Sequence, residues 1–534
     1  MTNQYETTTT FLPGGRARRR LAYACVLLMP LGCSEDTSGR DPIAEPNSGV
    51  GAQADDTLYG TEQADLLEGG GGSDRLFGGG GPDELFGGDQ GDMLRGEAGN
   101  DVLEGEHGPD VLNGGPDDDE LRGGLGSDYY VIEAGHGHDV LDDEGGSHDR
   151  LTFYGLRPDE VASVQEGSDL IITVPDGSVR IVDHFGEGAI ELIDYEWGQD
   201  PFSELDYGIY WFGQGNDRIK HVPTVDNPYF DPERPTMVII HGLQPGSIPD
   251  RRRPGLNYGE VNTAPDLDLA DAWIDAGWNI GVFYWQNFAD EREVKNAEAK
   301  IWSPQGNNGQ GMRWRSQDGS YQDWPFEFSV GDLAHGAATA ALLEAQAPTV
   351  RFAGHSLGNQ LATVVAARLQ SDVDSAEVSE RLAPRRLSLL DPFWSKGNKS
   401  YLGGSQTTGA RSHDLVLELL DAAVPVDSYR SSGVTTTPFA GDGNPALFED
   451  VCLVELRPHF LSWWQIADKH MVGLWHYVMG FDVAETKDDR GDDVATAGAT
   501  DEVLWSCIDG GFSWNQLDGR NTMTPADDSY ERID

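Results

Sequence analysis

Two groups of residues in this 534-residue sequence have the types and spacing to do chemistry. The first is Gly354-His355-Ser356-Leu357-Gly358, inside VRFAGHSLGNQLA. A serine hydroxyl is a weak nucleophile until a base takes its proton, so the chemistry would be acyl transfer assisted by a histidine and an acid. The glycines two residues before and after Ser356 leave room for a tight strand-to-helix turn. The N–H of Leu357 would then point from a helix N-terminus at developing negative charge. The second group is a column of carboxylates. Asp56, Asp65, Asp74, Asp83, Asp92, Asp101, Asp110, Asp119 and Asp128 recur at steps of nine, as do the glycines from Gly51 to Gly123. A Leu follows each Asp by two, from Leu58 to Leu121, with Tyr130 in the last copy. Such a column repels itself unless a cation intervenes, and Ca2+ takes about six to eight oxygens.

The serine needs an acid and a base further along the chain. Asp391, in LSLLDPFW, closes an apolar run 35 residues after Ser356. Asp421 and Asp427 are the other candidate acids. For the base, DKHMVGLWHYVMGF offers His470 and His476. One of these histidines would take the Ser356 proton, and one of these aspartates would hold its imidazole tautomer.

The elements that must position these residues differ between the two halves. Residues 51–149 form a repeat in which six residues turn and three make a short strand, so two nonapeptides complete one coil of a parallel β-roll. The Leu faces in; the residue after each Asp and the last of the nine face out. One Leu per nine is a thin core, which ties folding to metal binding. The copies beginning at Gly51, Gly60, Gly87 and Gly114 lack Gly at their fourth position and are expected to be weaker sites. His136, His138 and His148 are expected on the surface of a decayed tenth turn around Asp139 and Leu141. Residues 150–204 alternate apolar and polar with turn signals at EGSD and PDGS, as a β-rich cap would. From about residue 205, buried-strand patterns (TMVIIHG, WNIGVFYW, TVRFAG, RRLSLLD) alternate with helical ones, which predicts a parallel α/β sheet over 205–481. Asp290–Trp324 has little periodicity and could be a lid, an acyl-chain wall or a Trp-anchored surface excursion. Residues 482–534 are acidic and read as a loosely held segment partly packed on that domain.

These patterns resemble known families. The nonapeptide GGxGxDxUx resembles the calcium-binding repeat of repeats-in-toxin proteins, and SDLIITVPDGSVRIVDHF resembles the segment that often follows such arrays. The resemblance implies several Ca2+ ions held by the nine aspartates. The strand-flanked G-x-S-x-G resembles the nucleophile elbow of α/β-hydrolases. VIIHGLQPG resembles the oxyanion loop of lipases, which implies the N–H groups of Leu243 and Leu357 as oxyanion donors and a structural role for His241. LDP resembles the acid of the pancreatic lipase family, and His470 the lipase base. The implied architecture is multidomain: an all-β calcium-binding roll followed by an α/β-hydrolase domain with a mainly parallel sheet. The N-terminal place of the repeats departs from secreted repeats-in-toxin lipases, which usually carry them at the other end. That favours a stabiliser or spacer over an export device.

The N-terminus is a targeting pattern. Arg16, Arg18, Arg19 and Arg20 precede LAYACVLLMPLG, too short to span a bilayer. MPLGC resembles a bacterial lipobox with Cys33 as the lipidated residue, although Pro30 stands where that family prefers Leu; ordinary signal cleavage is the alternative. Residues 34–50 read as a linker. Asp and Glu outnumber Lys and Arg 91 to 37, a net charge of -54, which excludes nucleic acid and anionic lipid as electrostatic partners. Membrane contact is expected only through an N-terminal lipid anchor. Beyond the leader, Cys452 and Cys507 are expected to pair in an exported protein. The expected activity is an exported serine ester hydrolase, lipase-like, acting on acyl esters including lipids, with no cofactor for the chemical step. A surface calcium-binding or adhesion protein with an inactive hydrolase domain is the rival.

Overall fold

The computed structural model describes residues 48–534 except 147, 187, 197–201, 203, 257–267, 434–440, 460, 463–464, 482–485, 519–524 and 526–527. The leader, Cys33 and most of the linker lie outside the described residues. No described helix is long and apolar enough to cross a membrane.

The repeats form the expected two-sheet parallel roll, but most strands run six residues rather than three, as in Leu66–Gly71 and Arg75–Gly80, because pairing with the next coil continues into the glycines. Alternate copies supply alternate sheets, so each strand pairs in parallel with the strand of the next coil: Leu67 opposes Leu85, Leu85 opposes Leu103, and Leu103 opposes Leu121. On the second sheet Leu76 opposes Leu94, and Leu94 opposes Leu112. These seven leucines are fully buried. Each contributes roughly 1.5–3 kcal/mol of apolar burial, a modest core for so many ordered residues. Ser48–Val50, expected in the linker, pairs with the strand Leu66–Gly71. The cap extends both sheets. Arg150–Tyr154 and Leu192–Glu196 continue one in parallel. Gly177–Ile181 continues the other, followed by two antiparallel strands.

The second half is an α/β domain around a ten-stranded sheet. Its central strands are parallel: Asn279–Tyr284, Thr236–Ile240, Val350–His355, Pro384–Leu390, Val426–Arg430 and Cys452–Glu455. These runs are apolar because helices cover both faces. The acidic C-terminal segment is not a loose tail. Ser513–Asp518 and Ser529–Ile533 are the last two strands of this sheet. Cys452 and Cys507 are both buried but are separate thiols, not the expected disulfide. The 290–324 stretch is anchored: Trp302 Nε1 donates to Gln360 Oε1 at 2.8 Å and Trp324 Nε1 donates to the Phe328 carbonyl at 3.2 Å.

One expectation fails in an informative way. The residue after Asp does not face solvent on the second sheet: Met93, Val111 and Tyr129 are buried, in the same apolar cluster as Ala338 and Leu342 of the helix Val330–Leu343. On the other sheet the equivalents Glu84 and Glu120 are exposed. The roll therefore lies along the α/β domain. Polar contacts fix the register, with Asn113 donating to Thr224 Oγ1 at 2.8 Å and Arg381 Nε donating to Asp55 Oδ2 at 2.8 Å.

Candidate functional site

Ser356 sits between the strand Val350–His355 and the helix Gly358–Asp374. Its φ is +56°, a left-handed conformation that costs a non-glycine residue about 1–2 kcal/mol. The turn is held because its neighbours tolerate nothing larger than glycine. A Cβ on Gly354 would come 2.3 Å from Cα of Asn359, and one on Gly358 would come 2.3 Å from the Ile240 carbonyl oxygen. A Cβ on Gly242 would meet Ser356 Cβ at 2.7 Å, which places the loop after Ile240 directly beside the nucleophile turn. Among the described residues, neither the Leu243 nor the Leu357 N–H has a hydrogen-bond partner. Both are available to an oxyanion.

Asp391 follows the next strand. It is buried, and its Oδ1 accepts from the N–H groups of Ser431 and Ser432 at 2.9 and 3.1 Å. Its Oδ2 accepts from Ser432 Oγ and, at 2.5 Å, from His470 Nδ1. Burial alone would raise this carboxyl. The His470 hydrogen bond and charge and the serine donors outweigh it and hold the pKa below the ordinary value. Because the carboxylate can only accept, His470 carries its proton on Nδ1 and leaves Nε2 as an unprotonated acceptor. The helix Ile466–Met479 brings His470 here; Gly473, one turn on, lets it approach, its N–H donating to Ser431 Oγ at 3.0 Å. Among the described residues the Ser356 hydroxyl has no hydrogen-bond partner, so its bond to His470 is not formed in this state. Such bonds often tighten only with substrate.

The other candidates are committed elsewhere. Asp427 pairs with buried Arg386 and accepts from Ser388 Oγ at 2.7 Å. Asp421 is exposed at the end of the helix Thr408–Asp421. His476 bonds Asp528 Oδ2 at 2.7 Å and Tyr530 at 2.9 Å. His241 is a loop strut, its Nδ1 donating to the Gly242 carbonyl at 2.9 Å. Sequence reasoning missed His355, whose Nε2 donates to the His470 carbonyl at 2.9 Å; nothing in the spacing marked it.

In the roll, each repeat Asp from Asp74 to Asp128 uses one oxygen structurally. Its Oδ1 accepts the N–H of the residue one coil earlier in the column, as in Asp74 to Asp92 and Asp92 to Asp110, both 2.7 Å. The other oxygens of Asp74, Asp83, Asp92, Asp101, Asp110, Asp119 and Asp128 are buried without a partner. The first glycine of each copy makes space for them: a Cβ on Gly96 would come 2.4 Å from Asp101 Oδ2. Burial pushes Asp74 and Asp83 up to about 7 and Asp119 to about 8. Stacked, oxygen-only and short of partners, this set fits Ca2+. Asp56 and Asp65 differ, because Oδ2 of each accepts a backbone N–H, from Ala52 and Thr61. The fourth-position glycine does not decide this. Gln90 and Asp117 replace it with φ of +78° and +82° and their aspartates stay unpartnered. His136, expected on the surface, is buried, its Nδ1 2.6 Å from Asp139 Oδ2.

A family model for the RTX calcium-binding nonapeptide repeat matches residues 50–85, 86–121 and 95–130. "Hemolysin, plasmid" of Escherichia coli is 38% identical over 59 residues, 11% of this chain and 6% of that protein. Residues 50–130 are RTX-type calcium-binding repeats. Solved structures of low similarity include the extracellular lipase LipA of Serratia marcescens (17% identity, TM-score 0.15, 26% of this chain and 38% of that one). Another is esterase 2 of Thermogutta terrifontis, with 11% identity, a TM-score of 0.24, and coverage of 48% of this chain and 84% of that one.

Proposed function

We propose that this chain is an exported serine ester hydrolase whose α/β domain is braced by a calcium-bound β-roll. The observation that carries the reading is the 2.5 Å His470–Asp391 hydrogen bond beside a serine held at positive φ on a strand-to-helix turn. Ser356 Oγ attacks the ester carbonyl carbon as His470 Nε2 takes its proton. The N–H groups of Leu243 and Leu357 receive the oxyanion. Collapse expels the alcohol, which takes the proton back from His470. Water then attacks the acyl-enzyme, again through His470, and releases the carboxylate. Asp391, kept ionised, stabilises the imidazolium.

The roll (51–149) and cap (150–204) have a structural role in this reading, and Ca2+ supplies charge neutralisation to the aspartate column. None of the nine repeat aspartates belongs to the reaction. Export rests on the basic and apolar pattern of residues 16–33, with lipidation of Cys33 as a possible anchor.

A fluorophosphonate probe tests the reading. Native protein should be labelled and Ser356→Ala should not. Native protein that stays unlabelled, or equal labelling of the variant, would leave a calcium-binding surface protein with an inactive α/β domain.

A further inference from the structure

Past the last full repeat, the register of the roll slips. The Asp column on the docked sheet advances by 18 residues per coil until Asp110 and Asp128, and then by 21 to Asp149. Asp149 keeps the column's habit: its Oδ1 accepts the N–H of Asp128 at 2.9 Å. The extra residues bring in Asp143, which no repeat position supplies. One carboxylate oxygen from each of Asp128, Asp143 and Asp149 lies within 4.8 Å of the other two. All three are buried, with Asp128 and Asp149 only 1% exposed, and among the described residues Oδ2 of each of these two has no hydrogen-bond partner. Tyr130 closes one side, its hydroxyl donating to Asp143 Oδ2 at 2.6 Å and accepting from the Gly123 N–H at 2.7 Å.

Three buried carboxylates converging with no basic side chain among them cannot all be ionised without a counter-ion. Oxygens on opposite sides of a Ca2+ ion stand about 4.6–5.2 Å apart, given bonds of about 2.3–2.6 Å. We infer that Asp128, Asp143 and Asp149 form a terminal divalent-cation site, with a ligand set different from that of the repeats, that takes Ca2+. Its place gives it a purpose. Asp149 immediately precedes Arg150, whose guanidinium lies 4.8 Å from the Tyr129 ring centroid and 5.2 Å from that of Tyr207 in the α/β domain. His148 packs edge-on against Phe328 at 5.0 Å, next to the cap of the helix Val330–Leu343. An ion here fixes the crossing where roll meets α/β domain.

The test is Ca2+ stoichiometry of the full chain at saturation, by equilibrium dialysis and atomic emission. Asp143→Asn should bind one ion fewer per chain than the native protein, while the neighbouring Asp142→Asn should bind the native number. An unchanged count in folded Asp143→Asn overturns the proposal. Native crystals grown with Tb3+ provide the second measurement, which depends on no variant folding. An anomalous peak between the three carboxylates is expected; its absence while the repeats are occupied overturns the site.

Discussion

His355 donates through Nε2 to the backbone carbonyl of His470 at 2.9 Å, and the two rings lie 4.8 Å apart. The residue before Ser356 thus holds the helix that carries His470. Burial pushes the His355 pKa down to about 3, so the ring stays neutral and its Nε2 proton stays available as a donor. His355→Ala should reduce kcat about 10- to 100-fold through misplacement of His470. Fluorophosphonate labelling should persist but slow. A kcat within twofold of native would remove His355 from this role.

Asp391 and Asp427 should separate cleanly. Asp391→Asn should keep the fold and lose about 10⁴-fold in kcat, because the amide favours the wrong imidazole tautomer. Asp427→Asn should instead destabilise, by about 3–5 kcal/mol, since it leaves buried Arg386 uncompensated. Urea unfolding and ester turnover on both variants check this. The reverse assignment would make Asp427 the acid.

Calcium should stabilise the α/β domain as well as the roll. All 14 Trp lie at or beyond residue 197, so their fluorescence reports on the part of the chain after the repeats and most of the cap. The Tm followed by Trp emission should rise by several degrees on going from chelator to millimolar Ca2+. Val111→Glu, which places a charge in the docking face, should lower that Tm and shrink the calcium effect. A calcium-independent Trp transition would show the halves to be energetically separate.

Without metal, the roll should prefer acid. The pKa values of Asp74, Asp83 and Asp119 are raised to between about 7 and about 8, mainly by burial, from an ordinary value of 3.8. The folded state therefore binds more protons than the unfolded state between about pH 4 and pH 8, and stability falls as pH rises through that window. Chelated protein should show more β signal by circular dichroism at pH 5 than at pH 8. Added Ca2+ should act most at pH 8, where it replaces the lost protons.

Much of this was legible in one dimension. A nine-residue register needs no tertiary knowledge, because each Asp, Gly and Leu performs one local task at a fixed offset. The same holds in part for the turn at Ser356: Gly354 is held small by Asn359 five residues on, whereas Gly358 answers to the distant Ile240 carbonyl. Asp391 and Asp427 look alike in local sequence. Each ends or lies within a buried strand, and only the distant partners, His470 for one and Arg386 for the other, tell them apart. The cysteines show the same limit, since compartment and count suggested a bond that the structure does not make. The docking face did leave a trace. Met93, Val111 and Tyr129 recur every 18 residues, whereas the other sheet has Glu84, Val102 and Glu120 at those places. Asp149 left another, in the spacing of Asp149 and Leu151.

The sequence by itself determined the repeat, its demand for a cation and the Gly-x-Ser-x-Gly motif, because these are patterns of residues a few positions apart. The tertiary structure decided which carboxylate meets His470, where the C-terminal strands go and that the roll lies along the α/β domain. Those outcomes depend on which buried surfaces and charges find partners across tens to hundreds of residues, and no local spacing encodes that choice.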